Sequence, residues 1–249
     1  MFTDSHCHLL SEYYNEISEV INESISKGIN RFITSGYDFD SNQEIIKLVE
    51  QFDCVYGTIG IHPNNVGEIE ETRFQLIKQN YKNNKIIAIG EIGLDYHYGK
   101  DNKELQIVWF NKQLEFAEIN NLPVIIHSRD ATEDTLNCLN NYQLKGVIHS
   151  FSGSLDTAKK YIDMGFVLGI NGTITFKNSK LHEVIKEIDL KHIVLETDCP
   201  YLTPEPNRGK TNYPKYIVDI AKYIAELKNI SLDDLEKITN KNIKRIFDI

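Results

Sequence analysis

Two histidines stand two residues apart at the start of the chain, in MFTDSHCHLL. Side chains at i and i+2 of an extended segment share a face, so His6 and His8 point together, with Asp4 on their side and Cys7 opposite. Paired imidazoles are poor core material, because each ring carries nitrogens that need partners, but they are good metal ligands. Of the other histidines, His62, His127 and His149 lie at or just past the C-terminal ends of short apolar runs (CVYGTIGIHP, PVIIHSR and GVIHSFSG). His97, His182 and His192 fall in loop or helix-flanking contexts that suit a solvated ring. Two carboxylates share the run-end location, Glu91 in AIGEIGLD and Asp198 in LETDCP. A carboxylate after a stretch apolar enough to be buried is costly unless it is paired or metal-bound.

The elements that must position these residues recur along the whole length. Eight β-rich runs begin near residues 2, 31, 54, 86, 123, 146, 166 and 192. Between them the apolar residues take helical spacing: Ile17, Val20, Ile21 and Ile25, then Ile45, Val49 and Phe52, then Leu105, Val108 and Leu114. Gly28, Gly146 and Gly165 fall where a helix would end before the next strand. Ser231 before Asp234 reads as a capping-box start for the last helix. Eight strand–helix units in 249 residues have the rhythm of a single-domain (β/α)8 TIM barrel spanning 1–249, although a doubly wound open sheet also alternates. In a barrel the C-terminal strand ends form one surface, and His6, His8, Glu91, His127, His149 and Asp198 then converge. Six N/O ligands are too many for one tetrahedral zinc with an open position, and they suit two adjacent divalent ions bridged by Glu91.

Composition narrows the setting. Hydrophobic residues make up 41% and charged residues 25%, ordinary for a chain with a sizeable core. The net charge of −9 argues against a broad electrostatic footprint on duplex DNA, but bound cations would supply local positive charge, so a nucleic-acid substrate stays open. Four scattered cysteines without a C-x-x-C pair, no run of the length of a membrane span and no basic, apolar leader at the N-terminus make the cytoplasm the expected compartment. No protein partner is implied, and a monomer would suffice.

The blocks TDSHCH, GIHP, IGEIGLDYH, PVIIHSRDA, GVIHSFSG, GTITFK and LETDCPYLTPEPNRGKTN follow one another in an order that resembles the TatD family of metal-dependent deoxyribonucleases, from residue 3 to the C-terminus. The resemblance implies a (β/α)8 barrel with two divalent ions. One would be held by His6, His8 and Asp198, the other by His127 and His149, with Glu91 between them. It also implies single-stranded DNA as substrate, with nucleotides removed from the 3′ end. Departures are mild: Ser150 where many members carry cysteine, and Cys199 where serine is common. Neither removes a ligand.

The chemistry follows from the ions. Divalent metals lower the pKa of bound water from about 15.7 to near 7, and a pair also clamps an anionic phosphodiester. Histidine ligands suit zinc, whereas phosphodiester chemistry often uses magnesium or manganese. Asp198, a ligand and a hydrogen-bond acceptor, is the expected base that orients the water, with Glu91 as its catalytic companion. Substrate-binding candidates are His62 in GIHP, Arg129, Asn171 and Arg208, with Lys210 adding to a basic spot. Each has a plainer role available: fixing the loop before Pro63, pairing with Asp130, holding a turn with Gly172, or solvating a loop. Trp109 and Phe110 read as core, Cys7 as packing against the helical layer, and Cys199 as an unactivated thiol. A hydrolase of small phosphoesters, esters or amides is the alternative on the same site. A non-enzymatic metal-bound scaffold has no need of an open two-ion site.

Overall fold

The computed structural model describes residues 1–68, 71–99 and 101–249. Eight strands, β1 (Phe2–Cys7), β2 (Ile29–Ser35), β3 (Val55–Ile59), β4 (Ile86–Asp95), β5 (Val124–Arg129), β6 (Gly146–Ile148), β7 (Phe166–Ile170) and β8 (Ile193–Leu195), lie in sequence order in one sheet. Every consecutive pair is parallel. Helices α1 (Ile17–Ser26), α2 (Phe39–Gln51), α3 (Glu71–Asn80), α4 (Lys103–Ile119), α5 (Thr132–Leu139), α6 (Leu155–Asp163), α7 (Leu181–Glu187) and α8 (Ile217–Lys228) follow the strands in turn, and α9 (Leu232–Phe247) ends the fold. Sequential order around one sheet is the barrel arrangement, so the open doubly wound alternative falls away.

Strand alternation divides the apolar residues into two layers. Ile33, Ile125, Val147, Val167 and Val194 point into the barrel, where Ile243, Ile246 and Phe247 of α9 close its lower end. Their neighbours Phe32, Val124, Ile126, Ile148, Phe166, Leu168, Ile193 and Leu195 pack outward against the helices, and Cys7 joins that outer layer. Beyond the short β8 the seam to β1 is closed by two backbone bonds, Asp198 N–H to His6 O and His8 N–H to Cys199 O, both 2.9 Å. The same seam is pinned by Asp4, which accepts from Thr197 N–H at 2.9 Å and from Thr197 Oγ1 at 2.5 Å.

Local sequence explains most boundaries. Asp38 caps α2 in a reciprocal capping box with Ser41, and Ser154 and Ser231 cap α6 and α9 by accepting from Thr157 N–H and Asp234 N–H. Gly28 and Gly165 stand between helix and strand as expected, but Gly146 is the first residue of β6. Phe52 is the C-cap of α2 rather than part of its apolar stripe. In α4 the buried face is Gln106, Trp109, Phe110, Gln113, Leu114 and Ala117, while Leu105 and Val108 are exposed. The two glutamines are drawn in by backbone work: Gln106 bonds both N–H and C=O of Asp95, and Gln113 does the same for Ile61. No helix among the described residues is long and apolar enough to cross a membrane.

Candidate metal centre

The inward positions that are valine or isoleucine low in the barrel become polar at its upper end. Two residues after Ile125 stands His127, two after Val147 stands His149, and two and four after Val194 stand Glu196 and Asp198. On β4 the register shifts between Ile89 and Ile92, and Glu91 N–H crosses to Gly36 O at 2.8 Å beyond β2. Gly93, with φ 148°, lets β4 approach β5, since a Cβ there would lie 1.9 Å from the His127 carbonyl oxygen.

All six expected ligands meet. Glu91 is at the middle, and its two oxygens are shared out. Oε2 lies 3.3 Å from His6 Nε2 and 3.8 Å from His8 Nε2. Oε1 lies 2.8 Å from His127 Nδ1 and 3.6 Å from both His149 Nε2 and His62 Nε2. Asp198 Oδ1 faces His6, His8 and His149 at 3.6, 3.4 and 3.8 Å. Its backbone turns through φ 54°, a left-handed conformation that Asp enters more readily than most residues. His6, His8 and Glu91 form one compact donor group, and Glu91, His127 and His149 another.

The donor chemistry fits divalent cations. Ser35 O only accepts, so His8 Nδ1, 2.9 Å away, carries the proton and the lone pair of neutral His8 sits on Nε2. That lone pair faces the carboxylate oxygens of Glu91 and Asp198. Acceptor facing acceptor in a buried site is unfavourable unless a cation or proton lies between them. In the metal-free protein protons take that place. Burial opposes charge on His8, His127 and His149, yet the surrounding carboxylates raise all three, His149 to about 10. Burial would likewise raise Glu91 and Asp198, but the imidazoles around them hold both below the usual carboxylate range.

Two acids that the sequence reading passed over stand behind the histidines. Asp95 Oδ2 lies 3.2 Å from His127 Nε2, on the ring edge opposite Glu91. Burial opposes its charge, but His127 and the His97 N–H hold its pKa at about 2. Glu196 Oε1 lies 3.0 Å from His149 Nδ1, close but off the line of a good hydrogen bond, and accepts from Ser150 N–H at 2.7 Å. The barrel leaves room for Glu196 because residue 169 is glycine, where a Cβ would lie 2.1 Å from Glu196 Oε2. A signal for each was present: Asp95 shares the face of Glu91 at i+4, and Glu196 shares that of Asp198 at i+2. Carboxylates in such places orient ligand histidines.

The four substrate-binding candidates divide. His62 lies against the centre, its ring centroid 4.5 Å from that of His127. Burial, then the charge of His127, lower its pKa to about 3, so the ring is neutral near pH 7. Its Nδ1 accepts from Asn64 N–H at 3.2 Å, which leaves the proton on Nε2. Arg129 and Arg208 line a cavity of about 1020 Å³ above the cluster, with Tyr98, Phe176, Lys177, Lys180 and Tyr201. Asp130 pairs with His97 at 3.0 Å instead of with Arg129. Asn171 does not line this cavity. It accepts from Thr173 N–H and Oγ1 and donates to Ser150 Oγ, so its side chain is spent on the turn after β7. Lys210 is likewise outside the lining.

A parallel eight-stranded barrel with imidazoles and carboxylates gathered at the C-terminal ends of its strands defines a metal-dependent hydrolase of the (β/α)8 class. Residues 3–248 match the model of the TatD-related DNase family, and the chain belongs to that family. It is 39% identical over 254 residues to YabD of Bacillus subtilis, with 100% of both chains covered. It is 32% identical to YcfH of Escherichia coli, with 99% of this chain and 95% of that one covered. Both relatives are known as uncharacterized metal-dependent hydrolases. The crystal structure of YjjV, a TatD homologue from Escherichia coli K12, superposes with a TM-score of 0.94 at 27% identity, covering 100% of this chain and 98% of that one.

Proposed function

We propose that this protein hydrolyses phosphodiester bonds of single-stranded DNA, working from the 3′ end, at a centre whose residues, Glu91 shared between its two halves, would hold two divalent ions. The observation that carries the two-ion reading is the division of the Glu91 oxygens, Oε2 toward His6 and His8 and Oε1 toward His127 and His149. The DNase character of the family and the cations around the cavity support DNA as the substrate. Four free cysteines suit a reducing compartment, and we place the enzyme in the cytoplasm.

His6, His8 and Asp198 would hold one ion, and His127 and His149 the other. Ions held there supply Lewis-acid charge, which lowers the pKa of water toward neutrality and offsets the charge of the phosphate. Asp198 orients the attacking water and takes its proton. Its side chain is 13% exposed against 5% for Glu91, so of these two carboxylates lining the cavity it is the more open to it. Neutral His62 presents its Nε2 proton toward the same space, where it donates to a phosphoryl or leaving-group oxygen. Asp95 and Glu196 fix the rings of His127 and His149 from behind. Arg129 and Arg208 meet the phosphates that approach through the mouth.

The test is single-turnover cleavage of end-labelled single-stranded DNA by metal-stripped protein restored with Mg2+, Mn2+ or Zn2+, beside Glu91→Ala. A stepwise ladder from the 3′ end that the variant loses is expected. No cleavage by folded, metal-loaded protein would refute the nuclease reading and move the substrate to a small phosphoester, ester or amide.

A further inference from the structure

The reaction proposed above uses the floor of the cavity and the arginines at its mouth, and leaves the aromatic rings beside those arginines without a role. On the β4–β5 side the Arg129 guanidinium lies 5.5 Å from the ring centre of Tyr98. On the β7–β8 side the Arg208 guanidinium lies 4.3 Å from the ring centre of Phe176. All four residues line the cavity that also holds Glu91 and Asp198. Tyr98 is 79% exposed. A single exposed ring is ordinary on any protein surface. Two rings at one mouth, each paired with an arginine, are a repeated arrangement. Charge points the same way. The acids lining the cavity, Glu91, Asp95 and Asp198, lie at its floor, whereas Arg129, Lys177, Lys180 and Arg208 are exposed on its walls, in a chain of net charge −9.

We infer that Tyr98–Arg129 and Phe176–Arg208 are two stacking stations that grip the bases of an unpaired polynucleotide strand while its phosphates lead toward the metal centre; this rests on the nuclease reading. An arginine lying on a ring keeps its in-plane N–H edges free for phosphate oxygens. The open face of the ring, or the guanidinium plane itself, receives a base. In a duplex the base faces are already covered by their neighbours, so only an unpaired strand offers them. Stacking is tolerant of sequence because every base has a π-face, so the stations select for single-strandedness and not for a base order. A small phosphoester, lying wholly on the floor, would touch neither station.

The experiment measures binding apart from cleavage. Metal-loaded protein is titrated into a fluorescein-labelled single strand whose terminal linkages are phosphorothioates, and into the same strand with its three terminal nucleotides abasic, with anisotropy as readout. Wild-type protein is expected to bind the intact strand roughly 10- to 100-fold more tightly, the worth of one or two stacked bases. The double variant Tyr98→Ala, Phe176→Leu is expected to lose most of that preference. Tyr98 is exposed and leucine keeps apolar volume at residue 176, and a melting curve checks that the variant is folded. Equal binding of intact and abasic strands by wild type, or an undiminished preference in the double variant, overturns the inference. Base-dependent binding without cleavage of any oligonucleotide would uphold the stations and refute the nuclease reading. Cleavage without base-dependent binding would do the reverse.

Discussion

Glu91→Gln separates the metal centre from the fold that carries it. The amide has the shape of the carboxylate but one oxygen fewer and no charge. Its NH2 can face the His6 and His8 nitrogens, which lie 3.3 and 3.8 Å from Oε2, while its oxygen keeps the 2.8 Å contact to His127 Nδ1. The metal-free variant is therefore expected to fold but to melt several degrees below metal-free wild type, a loss of about 1–3 kcal/mol, because the imidazole protons lose a buried charged partner. The response to metal is different. At a free ion concentration 100 times Kd, one bound ion stabilises by ~2.7 kcal/mol, which raises Tm by about 5–11 °C for a chain of this size. If loss of the shared carboxylate weakens an ion ~100-fold, the same concentration equals the new Kd, and the gain falls to ~0.4 kcal/mol, about 1–2 °C. Thermal unfolding with chelator, then with added Mn2+ or Zn2+, reads both quantities. A variant that gains as much Tm from metal as wild type would refute the bridging role of Glu91.

Three further outcomes are expected. Asp198→Asn should remain folded and bind metal but lose about 10²–10⁴-fold in turnover, and a near-normal kcat in single-turnover assays would remove Asp198 as the base. Metal binding should release protons and strengthen as pH rises from about 6.5 toward 10. The His149 pKa is raised to about 10 by Glu196, Asp198 and Glu91 despite burial, so its proton stabilises the metal-free fold fully below its unfolded value near 6.5 and ceases to as pH climbs through 10. Calorimetry in buffers of different ionisation enthalpy would contradict this if the heat did not vary with buffer. Gly169→Ala places a Cβ 2.1 Å from Glu196 Oε2, and a cost of about 1–3 kcal/mol should lower Tm by several degrees; an unchanged melting curve would mean that Glu196 yields freely.

The metal ligands were legible in the sequence for a physical reason. On β5 and β6 and beyond β8, alternation projects an apolar run to His127, His149 and Asp198, whereas His6 and His8 are an i, i+2 pair at the end of the polar β1 and Glu91 lies inside β4 at its register shift. The barrel surface supplies the rest, because it brings the C-terminal ends of all eight strands together and so unites residues as far apart as His6 and Asp198. The helices were read less well where burial is driven by hydrogen bonding rather than by apolarity. Gln106 and Gln113 take the inner face of α4 because they satisfy the backbone of Asp95 and Ile61, so Leu105 and Val108 turn to solvent. No apolar period carries that information.

The same distinction separates the ligands from the residues around them. Asp95 and Glu196 sat on the correct alternation, but a carboxylate two or four positions from a ligand reads equally as a second ligand, an orienting partner or a solvated end. Only the ring nitrogens decide. Asp95 meets His127 at Nε2 while Glu91 meets it at Nδ1, and Glu196 meets His149 at Nδ1 while Nε2 looks toward Glu91 and Asp198. Each ring is thus held between an outer acid and the centre, a relation between two atoms of one side chain that sequence spacing does not encode. Asn171 shows the converse: its position after β7 suggested a substrate contact, yet the hydroxyl and N–H of Thr173 and the hydroxyl of Ser150 consume its amide. A polar residue at a strand end faces the substrate only when its own loop leaves it a free hydrogen-bonding group.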